Sequence, residues 1–350
     1  MQLKEEAIQL LKSLIATPSF SREEDKTALI IVKYLEEKGI PFQRKGNNIW
    51  AKGKFWDDAN PTYLLNSHHD TVKPVKGWQK DAFQPLVEEG KLFGLGSNDA
   101  GASLVSLLAT FIHFYDKKSP FNLIFAASAE EEISGKNGIA SILPELGAID
   151  AAIVGEPTEM QMAIAEKGLM VIDGEAKGRA GHAAREEGIN ALYIAIEDIQ
   201  ILKNFELEKV SPLLGKTKIS VTQIEAGTQH NVVPDSCKFV IDVRTNEAYS
   251  NQEVYEILQA KVKSTLTPRS FRLNSSRIEN SHPLVKSGLQ LGRICFGSPT
   301  LSDQALMNFP SLKMGCGDSA RSHTADEFIY LQEIEEGIDL YIQLLENLRN

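Results

Sequence analysis

Apolar residues fall at helical spacing at the start of the chain. Leu3, Ala7, Ile8, Leu10, Leu11 and Leu14 share one face, and Thr17-Pro18-Ser19 stops the run. The pattern predicts an amphipathic helix over residues 3–16. Ser21-x-x-Glu24 has the form of a capping box and predicts a second helix running to Glu37, closed by Gly39 and Pro41. Short, wholly apolar runs then take over. They predict strands near 48–54, 62–67, 122–127 and 151–154, with helices over Ala102–Phe114 and near 136–144. Residues 71–91, with Pro74, Gly77, Pro85 and Gly90, read as a loop. Buried strands alternating with helices predict a mainly parallel sheet covered on both faces, an α/β architecture.

The pattern changes after residue 166. Leu169–Ala176, Lys216–Ile224 and Lys238–Arg244 alternate apolar with polar, as half-exposed strands do. Helical patterns cover 190–202 and 251–262, and Phe271-Arg272-Leu273 reads as a short strand. The order β-α-β-β-α-β is ferredoxin-like. Three segments follow: residues 1–166 form the first part of a catalytic domain, 167–277 an inserted α+β domain, and 278–350 the second part of the first domain. The last segment holds a helix over 284–296, a strand at 312–314 and a closing helix over 331–348.

Composition narrows the function classes. A formal net charge of −10 argues against nucleic acid as the main partner. No apolar run reaches the ~18 residues of a membrane span, and Met1–Glu6 lack the layout of a signal peptide. Cys237, Cys295 and Cys316 are odd in number and far apart, which fits neither a disulfide framework nor a Cys-x-x-Cys metal site. A cytoplasmic location, without a membrane partner, is the expectation.

The chemistry lies where the apolar runs end. In open α/β sheets ligands bind beyond the carboxyl ends of the strands. One run ends in Ser67-His68-His69-Asp70, a second in Glu130-Glu131-Glu132, a third in Gly155-Glu156, and a fourth leads through Gly315–Asp318 to His323. Asp99 joins them from a Gly94-x-Gly96-x-x-Asp99 loop at a helix start. Each alone reads equally well as a solvated loop residue or a cap; their recurrence at one sheet edge points to metal. His68, Asp99, Glu132, Glu156 and His323 are too many for one catalytic zinc, which takes three protein ligands and keeps an open position. If Asp99 bridges, the five supply three bonds to each of two metals. Two divalent cations against three carboxylates leave about +1, the charge that lowers the pKa of bound water. Neighbouring side chains of an extended segment point opposite ways, so Glu131 is left facing the water as general base while Glu132 binds metal. Asp70 is placed to accept the second imidazole N–H of His68 and fix its tautomer. His69 reads as a packed bystander. The third glycine of a dinucleotide fingerprint is Asp99 here, and neither a Walker sequence nor a Gly-x-Ser-x-Gly elbow occurs.

These motifs, with Val154-Gly155-Glu156-Pro157-Thr158, Gly181-His182, Asn231-Val232-Val233-Pro234 and Ser322-His323-Thr324-Ala325-Asp326-Glu327, span nearly the whole chain. Together they resemble the M20 family of di-zinc metallopeptidases and amino-acid deacylases, and most resemble its acetylornithine deacetylases and succinyl-diaminopimelate desuccinylases. The resemblance implies a zinc-peptidase-like catalytic domain interrupted by a ferredoxin-like lid, which in many members forms a homodimer. It implies two divalent metals, zinc with cobalt able to substitute, on His68, Asp99, Glu132, Glu156 and His323, with Glu131 as base and Asp70 as orienter. It further implies that His182 helps polarise the scissile carbonyl, a histidine that in the family often comes from the partner subunit. Asn231 and Arg244 would hold the substrate carboxylate, with main-chain N–H groups of the loop at Gly317 nearby.

The sequence departs from the family at Asp99-Ala100-Gly101, at Glu130, and over Cys316–Arg321. Arg321 and, outside that loop, Asp303 are the candidates for reading the substrate side chain. The expected activity is removal of the acyl group from an N-acyl amino acid, such as N-acetylornithine, N-acetylcitrulline or their N-succinyl counterparts, in arginine biosynthesis. A desuccinylase of diaminopimelate or a dipeptidase is the alternative within the class, and a non-catalytic binding relative the alternative outside it.

Overall fold

The computed structural model describes residues 2–349, which divide into two compact units. One comprises residues up to 164 with 277–296 and from 302 on; the other comprises 165–276 with 297–301.

The first unit is built on a sheet whose central strands are entirely buried. Thr62–His68 lies at its centre, parallel to Asn122–Ser128 on one side and to Ala151–Val154 on the other. Ser311–Lys313 extends the parallel part beside Ala151–Val154; on the other flank Asn48–Lys52 lies antiparallel to Asn122–Ser128, and Gln43–Lys45 forms the edge beyond it. Side chains alternate across these strands. Leu65, Phe125 and Ile153 face a core shared with the helices Gln2–Ile15, Ala102–Tyr115 and Leu331–Glu346. Leu64, Ile124 and Ala152 face a smaller core under the helix Ile139–Leu146. Ala102–Tyr115 is apolar almost all round because it is buried almost all round.

The register decides where the chemistry goes. His68 stands opposite Ser128, and Val154 is level with both Asn66 and Lys313. Parallel strands aligned in this way end together, so the segments that follow them converge on one edge.

The second unit is a four-stranded antiparallel sheet in the order Lys218–Ala226, Ser236–Arg244, Met170–Lys177, Thr265–Pro268. With the helices Ala191–Asn204 and Asn251–Gln259 it has the β-α-β-β-α-β arrangement, around a core of Met170, Ile172, Phe239, Ile241, Val254 and Leu258.

Four local expectations are corrected. The fourth strand of the small unit is Thr265–Pro268, not 271–273; Phe271 packs against the core from a loop, edge-on to Tyr255. The helix expected over 284–296 runs only over Pro283–Gln290, because Gly292 turns left-handed at φ 75° and Cys295–Ser298 is a strand. Ser21 caps no helix: the helix Asp25–Glu37 starts after Glu24, and the Ser21 hydroxyl donates to Asp70 instead. Glu131–Ile133 is a 3-10 turn rather than an extended segment, entered through Glu130 at φ 55°.

Candidate metal centre and active site

His68, the last residue of the central strand, is 1% exposed. Its Nδ1 lies 2.9 Å from the main-chain oxygen of Asp70 and 3.4 Å from the Asp70 carboxylate. A carbonyl oxygen only accepts, so Nδ1 carries a proton and Nε2 is the nitrogen turned toward the other carboxylates. That Nε2 has no hydrogen-bond partner although it is buried. Around it stand Asp99 Oδ1 at 3.3 Å, Glu156 Oε1 at 3.7 Å and Glu131 Oε2 at 3.9 Å. On the far side, His323 Nε2 lies 3.0 Å from Glu132 Oε2 and 3.6 Å from Asp99 Oδ2. Asp99 thus turns one oxygen to each imidazole. Donor atoms of His68, Glu131 and Glu156, and of His68, Asp99 and Glu132, lie within 4.8 Å of one another.

Too little positive charge faces these carboxylates. Burial, with Glu156, Asp303 and Glu132 nearby, pushes Glu131 well above the usual carboxylate range. Burial likewise pushes Glu156 up to about 8. Burial works against a charged His68, but Asp70 and Asp99 outweigh it and raise the imidazole well above its ordinary value. His323, hydrogen-bonded to Glu132, is raised to about 9. A buried imidazole nitrogen without a partner among crowded carboxylates is the donor chemistry of a divalent-metal site, and the residues fit one.

Asp70 does more than face His68. It is 1% exposed, and its carboxylate accepts the Ser21 hydroxyl at 2.7 Å and the main-chain N–H groups of Glu131 at 3.0 Å and Glu132 at 3.2 Å. Buried Glu24 accepts the N–H of Glu130 at 3.1 Å. The turn carrying the two acidic side chains therefore hangs by consecutive N–H groups from buried carboxylates. Sequence reasoning missed Glu24, assigning it to a helix cap. His69 is buried between the Thr27 hydroxyl at 2.9 Å and the Asn47 carbonyl at 2.8 Å, packed as expected of a bystander.

The remaining sequence candidates are placed as follows. Gly317 is buried at φ 86°, where a Cβ would meet the Asn98 side chain at 2.2 Å. Arg321 does not reach out: it pairs with Glu333 at 2.7 and 3.1 Å and stacks on Phe328 and Tyr330. Asp303 is 3% exposed and accepts from Ser128 at 2.6 Å. In the second unit, His182 is exposed on a two-residue strand opposite Val232, and the Ala183 N–H reaches Asn231 O at 2.9 Å, so His182 and Asn231 are neighbours. Arg244 is bidentate to Asp242. It ends the strand that Asn231 precedes, eight residue steps from Ser236, or roughly 26 Å at ~3.3 Å per residue.

A family model described as peptidase family M20/M25/M40 matches residues 64–347. The chain belongs to this family. It is a metal-dependent hydrolase of amide bonds. Among its relatives, the acetylornithine deacetylase of Proteus mirabilis is 26% identical, with 97% of this chain and 96% of the relative covered. A succinyl-diaminopimelate desuccinylase of Helicobacter pylori is also 26% identical, over 82% and 80%. The fold is that of aminopeptidase PepT from Bacillus cereus, at a TM-score of 0.78 and 17% identity over 99% of both chains. It is also that of a dinuclear metal binding peptidase of Bacillus subtilis, at 0.76 and 18% over 99% of both. Among the described residues, no helix is long and apolar enough to cross a membrane.

Proposed function

We propose that this family member removes the acyl group from an N-acyl amino acid, with N-acetylornithine or a close relative as substrate and arginine biosynthesis as its place. The observation that carries the two-metal hydrolytic reading is the division of Asp99, one oxygen toward His68 and the other toward His323; the acylated amino acid is supported by the likeness to acetylornithine deacetylase along nearly the whole chain. Two zinc ions, with cobalt able to substitute, would be held by His68, Asp99 and Glu156 and by Asp99, Glu132 and His323. Bound there, they supply an activated water and polarise the scissile carbonyl. Glu131 takes the proton of the attacking water and delivers it to the leaving nitrogen, a task suited to a carboxylate whose pKa its surroundings raise. Asp70 keeps the Nδ1 proton of His68 in place and suspends the Glu131–Glu132 turn.

His182 donates to the developing oxyanion, with Asn231 beside it, and Arg244 binds the α-carboxylate in its planar fork; main-chain N–H groups of the loop at Gly317 are a further candidate for the substrate. His182 and Asn231 lie before the start of the strand that Arg244 ends, and this supports a homodimer formed through the second unit, acting as lid, in which each copy lends His182 to the other. A cytoplasmic location accords with three unpaired cysteines.

A hydrolysis panel tests the reading: N-acetylornithine, N-acetylcitrulline, their N-succinyl counterparts, N-succinyl-diaminopimelate and a set of dipeptides. Turnover highest on an N-acetyl or N-succinyl ornithine or citrulline is expected. Turnover confined to dipeptides would replace the deacylase assignment, and turnover only of the diaminopimelate derivative would move it to the pathway that the Helicobacter relative's name indicates.

A further inference from the structure

Glu327 has no part in the reaction outlined above, yet it is a carboxylate only 2% exposed at the metal edge. Its Oε1 accepts the main-chain N–H groups of Asn98 at 2.8 Å and Asp99 at 2.9 Å, and its Oε2 accepts that of Gly96 at 3.1 Å. Its own carbonyl accepts from Gly94 at 3.0 Å, where the strand Phe328–Tyr330 pairs with Lys91–Phe93. Backbone pairing thus runs up to Gly94, and the side chain continues it where the loop leaves regular geometry, with Gly96 at φ 75° and Asp99 at φ −117°. Asn98, between the bonded groups, accepts from the Asp318 N–H at 3.1 Å and donates to the Asp318 carbonyl at 3.0 Å and to Ser322 at 3.3 Å. The segment that supplies His323 and the loop that supplies Asp99 are interlocked, with Glu327 as the bolt.

The geometry points to Glu327 as a positioning residue that fixes Asp99 through its main chain; the inference rests on the reading in which Asp99 serves both metals. A carboxylate suits the task because both its oxygens accept, whereas a glutamine would turn an NH2 toward an N–H group. Without it, three N–H groups lose their acceptor at a buried site. Because the anchored residue is the shared one, loosening it weakens both metals together. Loosening the neighbouring His323 alone would weaken one.

The test uses the full chain stripped with a chelator and titrated with Zn2+ alone against a chromophoric competitor. Wild type is expected to take up two ions. Glu327→Gln should weaken both binding steps by roughly tenfold to a hundredfold, the range for residues that support metal ligands, and Glu327→Ala by more. As zinc is raised, kcat of Glu327→Gln should recover with KM unchanged. Amide exchange is the second measurement. The N–H groups of Gly96, Asn98 and Asp99 should exchange slowly in wild type stripped of metal; in Glu327→Gln, whose one amide oxygen stays with the two donors of Asn98 and Asp99, that of Gly96 should exchange fast, and in Glu327→Ala all three. Two ions bound by wild type with unchanged affinity in Glu327→Gln, or with only one step weakened, overturns the inference and leaves the di-metal reading standing. Fewer than two ions in wild type overturns the di-metal reading, and slow or fast exchange at 96–99 then decides the anchoring by itself. If the alanine variant does not fold, the glutamine variant and the wild-type exchange decide.

Discussion

The two units hold their functional side chains in opposite ways. At the metal edge nearly every candidate is buried or half-buried, and the main chain beneath it is pinned by carboxylates that contact no substrate: Glu24 and Asp70 under Glu130–Glu132, Glu327 under Gly96–Asp99. In the second unit His182 and Asn231 are exposed, and His182 Nδ1 accepts only the N–H of Ala184, two residues along. Arg244 is held by the single carboxylate of Asp242. Carboxylates crowded around two imidazoles repel one another and must be fixed before a cation arrives, so preorganisation is concentrated there. A group that meets the substrate only during turnover gains by staying free to move.

The comparison breaks most severely if metal is not what the first edge is for. Chelation should abolish turnover, with zinc or cobalt restoring it. The chelated protein should also lose stability as pH rises. Glu156 is raised from 4.5 to about 8 and His323 from 6.5 to about 9. In both cases the folded state holds its proton more tightly than the unfolded chain. The contribution is complete below about pH 4.5 for the glutamate and about 6.5 for the histidine, and is lost as pH passes 8 and 9. Thermal melts of chelated and zinc-loaded protein at pH 6 and pH 9 should diverge at the higher pH; parallel curves would contradict the charge argument.

Next in size is Glu131→Gln. It should keep both metals and lose at least about a hundredfold to ten-thousandfold in kcat; near wild-type turnover at normal metal content would remove Glu131 as base. His182→Ala should cost about a hundredfold to a thousandfold in kcat, as the loss of one oxyanion donor does, without altering zinc affinity or melting temperature. A shift in either would show that the second unit's residues are as structural as the first's. Smallest is Asp70→Asn, expected to weaken zinc by roughly tenfold to a hundredfold while leaving KM unchanged; a change in KM alone would place Asp70 on the substrate side.

Much of this edge was legible in the sequence because burial makes strands conspicuous. Thr62–His68 and Asn122–Ser128 are apolar runs that end abruptly in histidine or glutamate, and parallel pairing forces those ends together. What escaped was main-chain hydrogen bonding, which leaves little trace in residue identity. The expected opposition of Glu131 and Glu132 rested on an extended backbone; the segment is a 3-10 turn, and a donor atom of each carboxylate lies within 4.8 Å of one of His68. Asp70 was readable as a partner of His68, but not as the acceptor of two N–H groups one strand away. Glu327 left one signal: it shares the inward phase of its strand with Ile329, which is fully buried, so an acidic residue stood where an apolar one was due. Thr265–Pro268 was hidden because only Leu266 of its four residues is buried, while the apolar Phe271 nearby drew the assignment.

The chain leaves the first unit after Ile164 and is back by Ile278, and these two residues are directly hydrogen-bonded, Ile278 N to Ile164 O, at 2.9 Å. An insertion whose ends meet behaves as a module. Length and sequence between those points can change without altering the register that brings His68, Glu132 and Glu156 to one edge. Apart from the short excursion at 297–301, a few-residue turn would close the gap. Selection can therefore exchange the part that carries His182 and Arg244 as one piece while the metal edge is inherited intact.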